Sequence, residues 1–267
     1  MITGTTRLVA IVGQPIAQVK SPENFNSWFA ATGRDTAMVA LDLAPDALRS
    51  FVDTARGLHN LDGFVVTIPY KQSIVPLLDA VSARSRALRS VNVVRRHADG
   101  RLEGDIVDGL GFLAAAASHG FAPSGRRALV VGAGGVGSAI AHALCEEGLA
   151  GLALIDAAPG RADALSSHLA AAFGVRCLAE PKSLAAFDLV VNATPAGMAG
   201  HASLPLPAEL LDTLASAALV ADVVTAPAET PLLAYARLRG CRIQSGPEMA
   251  SAQRELLAGH LGLANGA

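Results

Sequence analysis

The stretch Ala128-Leu-Val-Val-Gly132-Ala-Gly134-Gly-Val-Gly137 decides how this chain folds. The continuous apolar run Ala128 to Val131 reads as a strand covered on both faces, as in a parallel sheet sandwiched by helices. It enters a GxGxxG spacing and then helical sequence through Leu144. In such a turn Gly132 permits the tight bend, Gly134 lets backbone approach a pyrophosphate, and Gly137 lets helix and strand pack closely. The segment Gly132, Ala133, Gly134, Gly135, Val136, Gly137 therefore offers phosphates the N–H groups and dipole of a helix N-terminus. No Gly-Lys-Ser/Thr follows, which argues against a nucleotide-hydrolysing loop. The next strand, Leu152 to Ile155, ends in Asp156, 19 residues after Gly137. That is the spacing of a ribose-binding acid. The plainer alternative is a glycine-rich turn and an acid that only caps its strand; the spacing favours the dinucleotide. A carboxylate at Asp156 suits the ribose hydroxyls of NAD and repels the 2′-phosphate of NADP. Ala157 and Ala158 supply no cation, and Arg161 is the one nearby candidate. NAD is favoured, with NADP possible.

Outward from this motif, strand-like runs alternate with amphipathic ones. Towards the N-terminus, Leu8 to Val12, Met38 to Leu43 and Gly63 to Ile68 read as strands. Ser21-Pro22 opens a helix, with proline in the first turn where its missing N–H costs nothing. Pro45 to Leu58 carries Leu48, Phe51, Val52 and Ala55 on one stripe. Val91 to Arg95 and Arg101 to Gly104 form a hairpin around Asp99-Gly100. Towards the C-terminus come a helix over 161–173, strands over 189–192 and 219–224, and helices over 231–239 and 251–261. This order implies an α/β fold: an N-terminal α/β domain over residues 1–108, completed by a C-terminal helix from about 246 to 267, and a Rossmann domain over 109–245.

Composition narrows the class. With 51% hydrophobic residues, 16% charged residues and a net charge of −2, the chain is neither disordered nor built to bind nucleic acid through phosphate electrostatics. The longest apolar stretch, residues 128–144, is broken by four glycines and His142, so no membrane span is expected. Without an export signal the cytoplasm is the expected compartment. Three dispersed cysteines, Cys145, Cys177 and Cys241, and histidines without HxxxH spacing suggest neither disulfides nor a metal.

Seven collinear motifs between Gly13 and Gln253 resemble the shikimate dehydrogenases and their quinate-using relatives. Gly13-Gln-Pro-Ile-Ala-Gln-Val-Lys-Ser21-Pro-Glu-Asn-Phe-Asn26 is similar to GNPIxHSxSPxxHN, and Val66-Thr-Ile-Pro-Tyr-Lys71 to VTxPFK. Ser90-Val-Asn92 resembles GAVNT, Gly104-Asp-Ile-Val-Asp108-Gly resembles GDNTDG, and Asn192-Ala-Thr-Pro-Ala-Gly-Met198 resembles NATPxGM. Thr230-Pro-Leu-Leu233 and the segment from Gly246 to Gln253 resemble the closing TPLL and GxxMLxxQ.

The resemblance implies a two-domain oxidoreductase of aromatic-precursor metabolism, with a cyclic hydroxy acid bound in the cleft, acting as a monomer or homodimer. It implies Lys71 and Asp108 as the catalytic pair. Thr67, Asn92, Asp108 and Gln253 would hold ring hydroxyls, and Ser21 a carboxylate oxygen. Asn192, Thr194 and Met198 would line the cofactor side, with Met249 near the nicotinamide. Oxidising a secondary alcohol needs a hydride acceptor, which the cofactor supplies, and a group to receive the proton. Lysine can take it while a neighbouring carboxylate fixes the geometry, and either member can be the final acceptor. Taken singly, Lys71 could be a solvated strand-end residue, Asp108 a helix cap and Asn92 a turn amide; the matching spacings favour the catalytic reading.

Departures gather on the substrate side. Val19 stands at the first serine of SxS, Gln18 at the histidine, and Val65 where Asn precedes VTxP. Val93 replaces Thr, Ile106 and Val107 replace Asn-Thr, and Thr225 stands where Tyr is usual. Hydrogen bonds to a charged group are worth about 1.5–3 kcal/mol, roughly 10- to 150-fold in affinity. Loss of such donors at a carboxylate predicts weak shikimate binding unless Lys20, Thr225 or water compensates; the valines and isoleucine also suit strand packing. Three readings follow: shikimate or quinate oxidation; the same chemistry on a less polar alicyclic alcohol; and a non-catalytic sensor of NAD and a small ligand, against which the intact Lys71 and Asp108 argue. A folate dehydrogenase with its own lysine lacks support, because the match extends to Gln253.

Overall fold

The computed structural model describes residues 2–263, which fall into two compact units. The first takes the described residues up to Val107 and those from Arg254 onward; the second is Asp108–Gln253.

The first unit runs β1 (Arg7–Gly13), α1 (Ser21–Ala31), β2 (Thr36–Asp42), α2 (Leu48–Gly57), β3 (Leu61–Val66), β4 (Ala80–Val81), α3 (Ala83–Leu88), β5 (Val93–Arg96) and β6 (Leu102–Asp105). Its sheet has the order β2-β1-β3-β5-β6-β4. β1 is parallel to β2 and β3, while β5 is antiparallel to β3 and β6. The Asp99-Gly100 hairpin forms as its sequence demands, with Gly100 at φ +86°. On α2, Leu48, Val52 and Ala55 are buried at i, i+4 and i+7 and join Phe64, Val12 and Ile74 in one apolar cluster. Asn26 on α1 binds the backbone of β2 twice, donating from Nδ2 to Met38 O at 2.9 Å and accepting from Met38 N at 2.8 Å. Helix α3 is capped by Ser82, which accepts from Ser85 N, and ends on Arg89 in the left-handed region at φ +49°.

The second unit runs α4 (Asp108–Ser118), β7 (Arg127–Val131), α5 (Gly135–Glu146), β8 (Gly151–Ile155), α6 (Arg161–Phe173), β9 (Arg176–Cys177), β10 (Leu189–Asn192), α7 (Ala208–Leu211), β11 (Leu219–Asp222), α8 (Pro231–Leu238), β12 (Arg242–Gln244) and the part of α9 (Gly246–His260) up to Gln253. The sheet order is β12-β11-β10-β7-β8-β9, and every pairing is parallel. The continuous apolar run of β7 is explained by burial on both faces. Ala128 and Val130 enter one apolar cluster with Phe112, Ile140 and Leu152, and Leu129 and Val131 enter another with Leu211, Leu232 and Leu233. Burial pushes the Cys145 thiol up to about 12, leaving it a packing group.

Two boundaries differ from the sequence-based expectation. Asp108 opens the second unit instead of closing the first, because it is already the first residue of α4. The C-terminal helix does not belong wholly to the first unit: the division falls inside α9, between Gln253 and Arg254. Met249 packs into the core of the second unit, whereas Leu261, just past α9, lies against Gly63 of β3. No helix among the described residues is long and apolar enough to cross a membrane.

Candidate active site

In the second unit the residues singled out in sequence gather at the carboxyl ends of parallel strands, where ligands of such sheets bind. Gly132 has φ +101°, and a Cβ there would lie 2.8 Å from Ala193 O. A Cβ on Gly137 would lie 1.8 Å from Gly132 O, so strand and helix meet at a distance only glycine allows. Cβ atoms on Gly134 and Gly135 would meet nothing within 4 Å. These two leave open space where backbone can approach a ligand. Val136 is partly buried against the core, and the first turn of α5 has no side-chain cap.

Asp156 sits just past β8 and reaches back to this loop. Its Oδ2 accepts from Ala133 N at 2.7 Å and its Oδ1 from Ala158 N at 2.8 Å, with Arg161 Nη1 3.5 Å from Oδ1. Burial opposes the charge, but the N–H groups of Ala158 and Ala133 and the Arg161 cation outweigh it and hold the carboxyl below its usual range.

At the end of β10, Asn192 is fully buried and its Oδ1 accepts from both the N–H and the hydroxyl of Thr194. Met198, on the same loop, is 45% exposed, whereas Met249 is 6% exposed in the core. Asp108 at the start of α4 is buried and accepts at Oδ1 from Gln253 Nε2 at 2.6 Å. Gly111, one turn along α4, makes that approach possible, since a Cβ there would stand 2.8 Å from Gln253 Cβ. Thr225 is exposed beyond β11.

In the first unit, Thr67, Lys71 and Asn92 are tied together by backbone. Val66 N donates to Asn92 O at 2.7 Å, and Val91 N donates to Lys71 O at 2.8 Å. Thr67 and Lys71 are half-buried and Asn92 is buried, its Oδ1 accepting from Val107 N at 3.0 Å. The β1 exit is held beside them, because Gln14 N donates to Ile68 O at 3.0 Å. Ser21 begins α1, and both it and Val19 are half-buried. Lys20, a possible substitute for the missing serine, is instead paired with Glu23 at 3.1 Å.

Four of the departures are buried. Val65, Val93, Ile106 and Val107 are at most 6% exposed, and Val65 faces Val93 across β3 and β5. Their burial supports the packing reading of these departures, with Val65 and Val93 suited to the sheet as β-branched residues. Val19 and Thr225 remain accessible.

Two polar hubs escaped the sequence reading. Asp105 accepts from Ser82 Oγ, Arg84 Nε at 2.9 Å and Ile106 N at 2.7 Å, fixing the turn that leads to Val107. Asp222 gathers Asn192, Val224 and Thr230. The signal for Asp222 was present: like Asp156, it is an acid at the end of an apolar strand. Among the described residues, no group of three or more His, Cys, Asp or Glu could hold a metal ion.

The family model for the shikimate dehydrogenase substrate-binding domain matches residues 11–94. The shikimate dehydrogenase (NADP(+)) of Rhodospirillum rubrum is 38% identical over 259 residues, spanning 92% of this chain and 88% of that protein. This chain belongs to the shikimate dehydrogenase family. Its fold agrees closely with solved members. Shikimate 5-dehydrogenase from Listeria monocytogenes, in complex with shikimate and NAD, superposes with a TM-score of 0.91 at 27% identity over 98% of this chain and 93% of that one. Quinate dehydrogenase from Corynebacterium glutamicum, in complex with NAD, gives 0.83 at 31% identity over 96% and 93%. The family thus includes members seen with NAD beside relatives named for NADP(+).

Proposed function

We propose that this protein is an NAD-preferring dehydrogenase that oxidises a ring hydroxyl of a cyclic hydroxy acid of the shikimate and quinate class, reversibly. Family membership supports the reaction type. The carrying observation for the cofactor is Asp156, an ionised carboxylate hydrogen-bonded to the glycine loop and followed by Ala157 and Ala158. The loop Gly132–Gly137 holds the pyrophosphate, Asp156 the adenosine ribose, and Thr194 and Met198 the nicotinamide side, with Met249 backing them from the core. NAD, when bound, supplies the hydride acceptor.

Lys71 and Asp108 handle the proton of the reacting hydroxyl. Gln253 orients the Asp108 carboxylate by donating from Nε2 to its Oδ1. Thr67 and Asn92 position neighbouring hydroxyls, and Ser21 with Thr225 contacts the carboxylate end. Val19 favours a second reading at this end: an apolar side chain beside Ser21 suits a substrate less polar there than shikimate.

The test is initial-rate measurement with shikimate, quinate and a panel of ring alcohols, each with NAD and NADP, following the absorbance of reduced nicotinamide. NAD reduction that falls at least about 100-fold in Lys71→Ala supports the proposal. Brisk shikimate oxidation with NADP alone sinks the cofactor assignment. Ligand binding without turnover, unchanged by Lys71→Ala, favours the sensor.

A further inference from the structure

Asp222 ends β11, two strands away from the glycine-loop strand β7. It is 2% exposed. Three donors converge on it. Asn192 Nδ2 at 3.1 Å and Val224 N at 3.0 Å bind Oδ1, and Thr230 Oγ1 at 2.7 Å binds Oδ2. No partner among these carries a positive charge, and burial raises the carboxyl above its ordinary range. The group is held for its acceptor geometry and not as half of an ion pair.

The Oδ1 side leads to the glycine loop. An ionised carboxylate only accepts, so Asn192 must turn its nitrogen towards Asp222 and its oxygen away. That oxygen accepts from Thr194 N at 3.0 Å and Thr194 Oγ1 at 2.6 Å, while Nδ2 also donates to Ala196 O at 2.9 Å. The turn fixed in this way abuts Gly132, whose absent Cβ would lie 2.8 Å from Ala193 O and 3.0 Å from Thr194 Cγ2. The Oδ2 side serves folding: Thr230 caps α8, accepting from Leu233 N at 3.4 Å, and α8 packs into the second apolar cluster.

We propose that Asp222 is a positioning residue for the dinucleotide: it sets the amide orientation of Asn192 and through it the seat formed by Ala193 and Thr194 beside the glycine loop. This rests on the dinucleotide-binding reading above. The two carboxylate oxygens separate the roles, Oδ1 governing ligand binding and Oδ2 governing helix stability.

The experiment is titration of NADH fluorescence with full-length wild type, Asp222→Ala, Asp222→Asn and Thr230→Val, with a melting curve for each. Asp222→Ala should raise Kd about tenfold, and Asp222→Asn, which keeps an Oδ1 acceptor, should recover most of that loss. Thr230→Val should lower Tm with Kd within about twofold of wild type. Should Asp222→Ala not fold, Asp222→Ser carries the same expected rise in Kd. Wild-type Kd in the folded Asp222 variant, no recovery with Asn, or an equal rise in Thr230→Val overturns the inference alone. No NADH binding by wild type overturns it together with the functional reading.

Discussion

Asp156→Asn tests the cofactor assignment at one atom pair. In the wild type both carboxylate oxygens accept backbone N–H groups, from Ala133 and Ala158, and the side chain is 8% exposed. A 2′-phosphate carries a charge of about −1.5 to −2. Placed about 5 Å from the carboxylate at an effective dielectric of about 20, each charge pair repels by roughly 3 kcal/mol. Solvent screening and the Arg161 cation at 3.5 Å reduce the net penalty to about 2–3 kcal/mol, roughly 30- to 150-fold. Removing the charge should raise kcat/KM for NADP by that factor. The same change weakens NAD. An amide has one oxygen, so one of the two N–H groups loses its acceptor and meets an NH2 group. A loss of about 1.4 kcal/mol lowers kcat/KM for NAD about tenfold. The NADP/NAD ratio should therefore move by roughly 300- to 1,500-fold, read from initial rates with both dinucleotides on one hydroxy acid. A shift below about tenfold in a variant with an unchanged melting curve would refute the electrostatic reasoning.

Gly137→Ala places a methyl 1.8 Å from Gly132 O, a backbone atom that cannot swing aside, and should cost roughly 3 kcal/mol of stability and abolish NADH binding, measured by calorimetry and fluorescence. Arg89→Gly relieves a left-handed residue at the end of α3 and should stabilise by about 1 kcal/mol, raising Tm by roughly 2–4 °C. The carboxyl of Asp79 is lowered by the Leu102 N–H and Arg56 against an opposing burial effect. Its contribution is complete above the unfolded value of about 3.9 and is lost as pH falls through the lower folded value, so Asp79→Asn should flatten the acid limb of urea midpoints below about pH 5. Asp222 works in the opposite sense, since its raised value favours the folded state progressively as pH falls.

The sequence disclosed what short spacings encode. Gly132 to Gly137 and Asp156 could be read because turn, helix start and strand end lie within one βαβ unit. It showed Asp222 as an acid at a strand end but not its partner Asn192, which is thirty residues away and becomes a neighbour only when β10 and β11 pair in register. Residue types at Val65 and Val93 left a changed binding surface and strand packing both open, because a substitution pattern does not say how buried a side chain is; the fold buries both. The return of the C-terminal helix to the first unit was legible, but its division between Gln253 and Arg254 was not, because tertiary packing sets the partners of its two halves.

The pair of hydrogen bonds between Asn26 and Met38 bears on the edge of the first sheet. β2 is an edge strand, and its outward N–H and C=O groups would ordinarily be a template for another chain. Asn26 occupies that template at Met38 with both a donor and an acceptor, acting as a one-residue mock strand. A dimer zipped edge to edge along β2 would have to eject the amide and forfeit two hydrogen bonds before gaining any. The opposite edge, β4, is only two residues long and offers little to zip. Both edges of this sheet are thereby poor templates for extension by another strand.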